Sequence, residues 1–172
     1  MHDGLVMSAL APTGASAESL ETHPLDIVMA IQAQVTFDSE NPHDQAEFWA
    51  IALDYVVQPP PPGFESWEEF AQSISLPEDR WDSLAAVIDP DGAGPRVLFQ
   101  KVPEGKVVKN RVHLDVQISH PDGHRSPTGQ ARIARHVAKL VDAGAKVLRE
   151  VDEPTGFCVV MQDPEGNEFC IG

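Results

Sequence analysis

The chain has 172 residues, of which 42% are apolar, and a formal net charge of −15. This length can bury one core, or two small halves that share a core. No run approaches the roughly 20 apolar residues that a membrane helix needs. All of the excess charge lies in residues 1–90, which hold 16 acids and one base, Arg80. Because an acidic protein is repelled by nucleic acids and by anionic membranes, we expect neither as a partner.

The N-terminal segment, residues 1–24, is rich in small residues and contains no Lys or Arg. A secretory signal requires a basic start and an uninterrupted apolar run, and this segment has neither. We therefore predict a disordered tail, followed by one domain over residues 25–172. Cys158 and Cys170 lack the spacing of a zinc site. Buried free thiols in a reducing cytoplasm are the favoured interpretation, and a disulfide is the alternative.

The first predicted unit begins with a strand over Ile27–Asp38, whose end alternates between polar and apolar residues. Asn41 followed by Pro42 is typical of a helix N-terminus, and the residues after it carry an apolar stripe with helical spacing. A short strand is predicted at Asp54–Val57. The prolines of Pro59–Pro62 cannot donate ladder hydrogen bonds, so the chain must leave the sheet there.

The next segment, Gly63–Asp82, has no counterpart later in the chain, and we name it the insertion. A helix is predicted inside it at Ser66–Leu76. Its large aromatic side chains support two interpretations, a lid over a cavity or a small separate core. These residues are Phe64, Trp67, Phe70 and Trp81.

A turn that occurs twice indicates an internal duplication. Asp89-Pro90-Asp91-Gly92 and Asp163-Pro164-Glu165-Gly166 lie 74 residues apart, each between two strand-like runs. The runs are Ser83–Asp89 and Arg96–Lys101 in the first half, and Phe157–Asp163 and Glu168–Ile171 in the second.

The second half repeats the order of the first. A strand is predicted at Asn110–Ser119, a helix from Ser126 that ends at Gly144, and a strand at Ala145–Val151. Each unit is thus predicted as β-α-β-β-β, with module one over about residues 27–102 and module two over about residues 110–172. The predicted fold class is α+β. Helices cover the apolar face of the sheets, and the mixed polar face meets solvent or a ligand.

Several short motifs follow one another in a characteristic order. They are Val35–Asp38, Asn41-Pro42, Glu47–Ala50 and Leu53 in module one, and Val112–Val116, Ala143–Ala145 and Asp163–Asn167 in module two. In these motifs the chain resembles the vicinal-oxygen-chelate superfamily, in particular its glyoxalase-like and bleomycin-resistance-like proteins, and most of all an actinobacterial glyoxalase-like subgroup. The resemblance covers residues 27–172 apart from the insertion. It implies two modules that form a half-barrel around a cavity, and it implies a homodimer.

The resemblance also indicates where a site would lie. Metal-dependent members take one ligand from the first and one from the last strand of each module. Those positions fall on Gln34, Gln100, His113 and Cys170, the last standing where such members carry glutamate. Because the carboxylates are missing, a divalent cation would have little charge compensation. We therefore expect no metal or other cofactor; a metal, if present, would use Gln34, His113 and Glu168.

The function predicted from the sequence is metal-free binding and sequestration of a small organic molecule. The expected cavity residues are Gln34, Gln100, His113, Asp115 and Cys170. The alternative is a metal-dependent lyase, isomerase or dioxygenase of the same superfamily with an altered ligand set. Each candidate also has a structural interpretation: a surface histidine bonded to a neighbour, cross-strand glutamine pairs, and a small buried thiol.

Overall fold

The computed structural model describes Ile31 and residues 33–172, so the tail predicted over residues 1–24 lies outside the described residues. The elements follow in this order: β1 Val35–Ser39, α1 Pro42–Leu53, β2 Val56–Val57, α2 Trp67–Ser73, β3 Leu84–Ile88, β4 Val97–Lys101, β5 Asp115–Val116, α3 Pro127–Asp142, β6 Lys146–Glu153, β7 Gly156–Gln162 and β8 Glu168–Ile171. A single 3-10 turn covers Glu78–Arg80. None of the described helices is long and apolar enough to span a membrane.

The strands form two four-stranded sheets of the same topology, with orders β1-β4-β3-β2 and β5-β8-β7-β6. In each sheet the first strand of the module pairs in parallel with the last. The remaining neighbours pair antiparallel. Two modules with one β-α-β-β-β order confirm the α+β fold predicted from the repeated turn.

The first strand of each module is shorter than the sequence pattern predicts. β1 starts at Val35, after the described Ala33 and Gln34, and residues 27–30 and 32 of the strand predicted over Ile27–Asp38 lie outside the described residues. Only Asp115–Val116 of the predicted strand Asn110–Ser119 is regular strand. The cause in module two is local, because the backbone N–H of Asn110 donates to the carboxylate of Glu168 at 2.9 Å. A backbone N–H that donates to a side chain cannot also form a hydrogen bond to the neighbouring strand. The chain therefore joins the sheet only near Leu114, whose carbonyl accepts from Cys170 N.

Both long helices begin where the sequence predicts. α1 follows Asn41 with Pro42 at its first position, and α3 follows Ser126, whose hydroxyl accepts from Gly129 N at 2.9 Å. α3 ends in a left-handed residue, Gly144, with φ of +104°. Its N–H donates to Val141 O at 3.0 Å, and the next N–H donates to Leu140 O at 2.9 Å. These two bonds satisfy carbonyls that the helix end leaves unpaired.

An aromatic cluster joins the two modules. Phe37, Phe48, Trp49, Phe99 and Phe169 have ring centroids 5.1 to 5.9 Å apart. Trp49 is fully buried at its centre and contacts Phe169 of the second sheet. The stripe of α1 therefore packs against both modules, and the two small sheets share one core.

The repeated turn has one side-chain hydrogen bond in common between the two modules. Asp89 Oδ1 and Asp163 Oδ1 each accept from the backbone N–H two residues later, at 2.9 and 3.0 Å. Gly92 and Gly166 adopt φ of +70° and +87°, which a residue with a Cβ rarely adopts. The sequence motif is thus explained by an aspartate that bonds the turn backbone and a glycine that tolerates its conformation.

The second copy of the turn also holds the first module. Asp163 is buried, and its Oδ2 accepts from Trp49 Nε1 at 3.2 Å and from Asn167 Nδ2 at 2.9 Å. Burial raises the pKa of the Asp163 carboxyl, and the hydrogen bonds from Asn167 and Trp49 oppose that rise. Four neighbouring groups therefore depend on this one carboxylate for an acceptor.

Glu165, in the same turn, caps the helix of module one. Its carboxylate accepts from the hydroxyl of Ser39 at 2.8 Å and from the backbone N–H groups of Glu40 and Asn41 at 3.0 and 2.8 Å. These donors lie at the start of α1, where the helix dipole favours a negative charge. The position of α1 is thus set by a turn of the other module.

Replacing Asp163 by Ala should lower the free energy of unfolding by about 2–4 kcal/mol, because buried donors lose their acceptor. Equilibrium denaturation in urea measures the loss. Asp89→Ala is the matched control, since it removes the equivalent aspartate where no second module depends on it. Its loss should be clearly smaller. Equal losses in the two variants would show that the contact between modules adds nothing.

Candidate functional site

The first sheet has a second apolar face, opposite the shared core. Ala85 and Val87 of β3 pack toward the core, so strand alternation turns Leu84 and Ala86 away from it. Ala86 is the cross-strand partner of Leu98 in β4. These outward positions would be wet if nothing covered them, yet only 5% of the surface of Ala86 is exposed. Another part of the chain must therefore cover this face.

The insertion supplies that cover. Its helix α2 starts after Ser66, whose hydroxyl accepts from Glu69 N at 3.1 Å. The indole N–H of Trp67 donates to Gln58 O, at the end of the edge strand β2, at 2.9 Å. The indole N–H of Trp81 donates within the insertion, to Leu76 O at 2.9 Å. Both indole N–H groups are thus satisfied, and the rings present apolar surface toward the sheet.

A cavity of about 330 Å³ lies between the insertion and this face of the first sheet. That volume lies in the range of small-molecule sites, which begins at roughly 300 Å³. Most of the lining is apolar, and a few polar groups stand among it. The apolar residues are Val57, Trp67, Phe70, Ala71, Ile74, Leu76, Trp81, Leu84, Ala85, Ala86 and Leu98; the polar residues are His43, Gln58, Arg80, Ser83 and Arg96. Three of the four aromatic residues of the insertion, Trp67, Phe70 and Trp81, line this cavity, and Phe64 does not.

Arg96 is held in a fixed position at this cavity. Its Nε donates to Gln58 Oε1 at 2.7 Å, and its Nη1 donates to Gln34 Oε1 at 2.6 Å. Both acceptors are neutral amides, so they orient the guanidinium without cancelling its charge. Burial lowers the pKa of Arg96. An oriented, partly desolvated guanidinium of this kind is suited to bind an oxyanion.

A larger cleft, of about 750 Å³, lies between β1 and the segment that joins the two modules. We name this segment, residues 102–114, the linker. Its charged lining is mixed in sign: Asp38, Glu40, Glu104, Glu165, Lys106 and Arg111. The valines on its linker side are open to solvent, with Val107 93% and Val112 78% exposed. Glu165 is already engaged as the cap of α1. Compared with the cavity under the insertion, this cleft is larger, more exposed to solvent and lined by charges of both signs.

The structure does not bring the two glutamines of the predicted site together. Gln34 precedes β1 and bonds Arg96 at one end of β4, whereas Gln100 lies across from Asp38 near the other end. Gln34 and Gln100 are therefore separated along the strands by four residues, which is roughly 13 Å at about 3.3 Å per residue. The two side chains therefore cannot hold one ion between them. Gln34 instead supports the arginine at the apolar cavity.

Of the other predicted residues, Asp115 and Cys170 lie on the second sheet and His113 lies just before it. Asp115 and Cys170 are direct partners across β5 and β8, and His113 is exposed two residues before Asp115. Burial, with Cys158 and Asp115 nearby, raises the pKa of the Cys170 thiol to about 12. A thiol of such pKa is a poor nucleophile, which favours the interpretation as a small filler. None of the five predicted cavity residues lines either of the two cavities described above.

Glu168, the acid expected to replace a missing metal ligand, is already bound. Its Oε2 accepts from Asn110 N at 2.9 Å and from Lys106 Nζ at 3.0 Å. Burial alone would raise the pKa of Glu168, but these two donors outweigh it and hold the pKa at about 2. Gln34 Oε1 likewise accepts from Arg96. Two of the three expected metal ligands, Gln34 and Glu168, are thus already bonded to cationic side chains. The donor set therefore does not fit a divalent metal, and the described residues contain no group of three His, Cys, Asp or Glu able to hold one.

Sequence reasoning missed Arg96, Gln58 and the apolar outer face of the first sheet. Two signals were present. Arg80, the one base of residues 1–90, lies within the aromatic insertion. Leu84 and Leu98 also occupy positions where strand alternation predicts polar residues. Both signals indicate a covered face with a positive charge at it.

Comparison with known proteins agrees with the architecture. A sequence model of the family described as glyoxalase-like domain matches residues 34–172, and no curated protein matches the chain. The fosfomycin resistance protein FosX from Listeria monocytogenes is similar in structure, with 10% identity, a TM-score of 0.55, and coverage of 83% of this chain and 90% of that one.

Two further solved structures illustrate the range of the fold. A glyoxalase/bleomycin resistance protein/dioxygenase family enzyme from Burkholderia phytofirmans PsJN has 14% identity and a TM-score of 0.52, covering 80% of this chain and 94% of that one. A variant of the Listeria FosX, described in complex with Mn(II) and 1S,2S-dihydroxypropylphosphonic acid, has 10% identity and a TM-score of 0.53, covering 83% and 89%. At such identities the likeness shows the fold alone.

Replacing Glu168 by Gln should make the molecule less stable at neutral pH, and this loss should shrink in acid. The folded pKa of about 2 lies below the ordinary 4.5, so the stabilisation is present above pH 4.5 and disappears as pH falls toward 2. Urea denaturation of both proteins at several pH values measures the difference. Lys106→Gln, which removes the partner, should show the same decline. A difference that stays constant between pH 6 and pH 3 would contradict this assignment.

Proposed function

We propose that this chain, which belongs to the glyoxalase-like domain family, is a metal-free protein that binds a small organic molecule under its insertion. The observation that carries the proposal is the cavity of about 330 Å³ between the insertion and the first sheet. Its walls are mainly aromatic and aliphatic, and its polar groups are few and oriented. This combination is typical of small-molecule sites. Sequestration of the bound molecule needs no further chemistry from the protein.

The side chains around the cavity support this use. Trp67, Ile74 and Leu84 all line it, and they are 39%, 54% and 53% exposed. Large apolar side chains that remain this exposed around one concave site are commonly covered by a partner. A bound apolar molecule would remove part of that surface from water, which favours binding by roughly 25 cal/mol per Å² covered. The insertion thus serves as one wall of the site.

The alternative, a metal-dependent lyase, isomerase or dioxygenase, has less support. Such an enzyme needs ligand atoms that are free to meet a cation, and the two oxygens expected from Gln34 and Glu168 already accept from Arg96 and Lys106. The metal-dependent relatives share only the fold with this chain. We further propose, from the family resemblance, that the protein acts as a homodimer, and, from its two free cysteines, that it acts in the cytoplasm.

The cavity should bind a neutral aromatic probe, N-phenyl-1-naphthylamine, with an increase in the fluorescence of the probe. Replacing Ala86 by Phe places a ring in the cavity and should weaken this binding at least tenfold, because the probe and the ring compete for one volume. Val147→Phe is the matched control, on a 48% exposed residue of the second sheet, and it should bind like the unchanged protein. EDTA should have no effect. Binding that survives Ala86→Phe, or that EDTA abolishes, would contradict the proposal.

A further inference from the structure

The charges at the cavity under the insertion are all of one sign. Arg80 and Arg96 line it, and no Asp or Glu does. This pattern is unexpected from composition, because residues 1–90 contain 16 acids and only one base. That one base, Arg80, stands at the cavity. Glu68 and Asp82 lie near His43 but outside the lining, so the charged side chains that line the cavity itself are the two arginines.

The guanidinium of Arg96 is the most constrained of these groups. It is half-buried, and two of its five N–H donors are bound to neutral amide oxygens. Within the part of the chain that the structure describes, no carboxylate lies within 4.0 Å of it. Its Nη2 has no acceptor among the same residues. Nη2 is not among the fully buried atoms, so this part of the guanidinium is accessible and can donate to a bound anion.

We infer that the molecule bound under the insertion is an aromatic or aliphatic organic anion, and that Arg96 binds its carboxylate or sulfonate group. The inference rests on the proposed function and adds to it the chemical class of the ligand. The apolar body of the ligand packs against Trp67, Phe70 and Trp81. The anionic group meets a guanidinium whose planar fork matches two oxygens of an oxyanion.

The two amides hold the guanidinium of Arg96 in one orientation. Gln34 and Gln58 fix the direction of the Arg96 side chain before any ligand binds, so little further rotamer freedom is lost on binding. Gln34 is therefore a positioning residue, which explains why a polar side chain stands on this face just before β1. Arg80 is exposed and adds attraction at the rim. This local positive charge is needed because a protein with a net charge of −15 otherwise repels anions.

Two fluorescent probes that differ in charge test the inference. 8-Anilinonaphthalene-1-sulfonate is the anionic counterpart of neutral N-phenyl-1-naphthylamine, with the same ring system. Both are titrated into the unchanged full-length protein, into Arg96→Gln and into Arg135→Gln. The second variant removes an exposed arginine of α3 outside the cavity. Arg96→Gln should weaken the sulfonate probe about ten- to hundredfold, the loss of a charge-assisted pair, and the neutral probe less than twofold. Arg135→Gln should change neither.

A competition experiment needs no variant and guards against misfolding of Arg96→Gln. The neutral probe is bound to the unchanged protein and displaced either with 1-naphthoate or with 1-naphthalenemethanol, its uncharged analogue. Displacement by the carboxylate at a concentration at least tenfold lower supports the inference, and equal potency overturns it. If the neutral probe binds and Ala86→Phe blocks it, but charge makes no difference, this inference fails while the proposed function stands. If no probe binds, the proposed function itself fails.

Discussion

A buried carboxylate, that of Asp163, holds the two modules of this protein in one arrangement. It accepts hydrogen bonds from its own turn and from Trp49 of the first module, at the centre of the shared aromatic cluster. Glu165 of the same turn caps α1. Because α1 packs directly on β3 and β4, these bonds fix the sheet that forms the floor of the candidate site. The floor of the site is therefore tied to the shared core, and the insertion forms its other wall.

The two modules share a topology but use their outer sheet faces differently. In module one the face is apolar at Ala86 and Leu98, and the insertion covers it. In module two the same face carries Asp115, Cys170 and Glu168, and the linker reaches it through Lys106. The ammonium group satisfies the one buried acid of that face. The two copies therefore differ at this face: in module one it lines an apolar cavity, and in module two it carries an internal ion pair.

The sequence predicts the fold well because its signals are local. The repeated Asp-Pro turn and the residues that begin and end the helices act within a few positions of themselves, and the structure confirms the module order. The site depends on contacts that are distant in sequence. That Gln34 would bond Arg96 requires the parallel register of β1 and β4, and the covered face requires the docking of the insertion. His113 and Gln100 are assigned to the predicted site from their positions in the family pattern, and that pattern contains no information on these contacts.

The three tryptophans offer the most direct test of the account, because Trp67 and Trp81 line the cavity and Trp49 lies in the shared core. Each indole N–H has a protein acceptor and should give a separate signal in a ¹⁵N–¹H correlation spectrum, assigned by replacing each tryptophan with Phe. The spectrum is recorded while 1-naphthoate is added to the full-length protein. The account predicts that the signals of Trp67 and Trp81 shift in a saturable manner and that the signal of Trp49 does not. Saturable binding that leaves both insertion signals unmoved would contradict it.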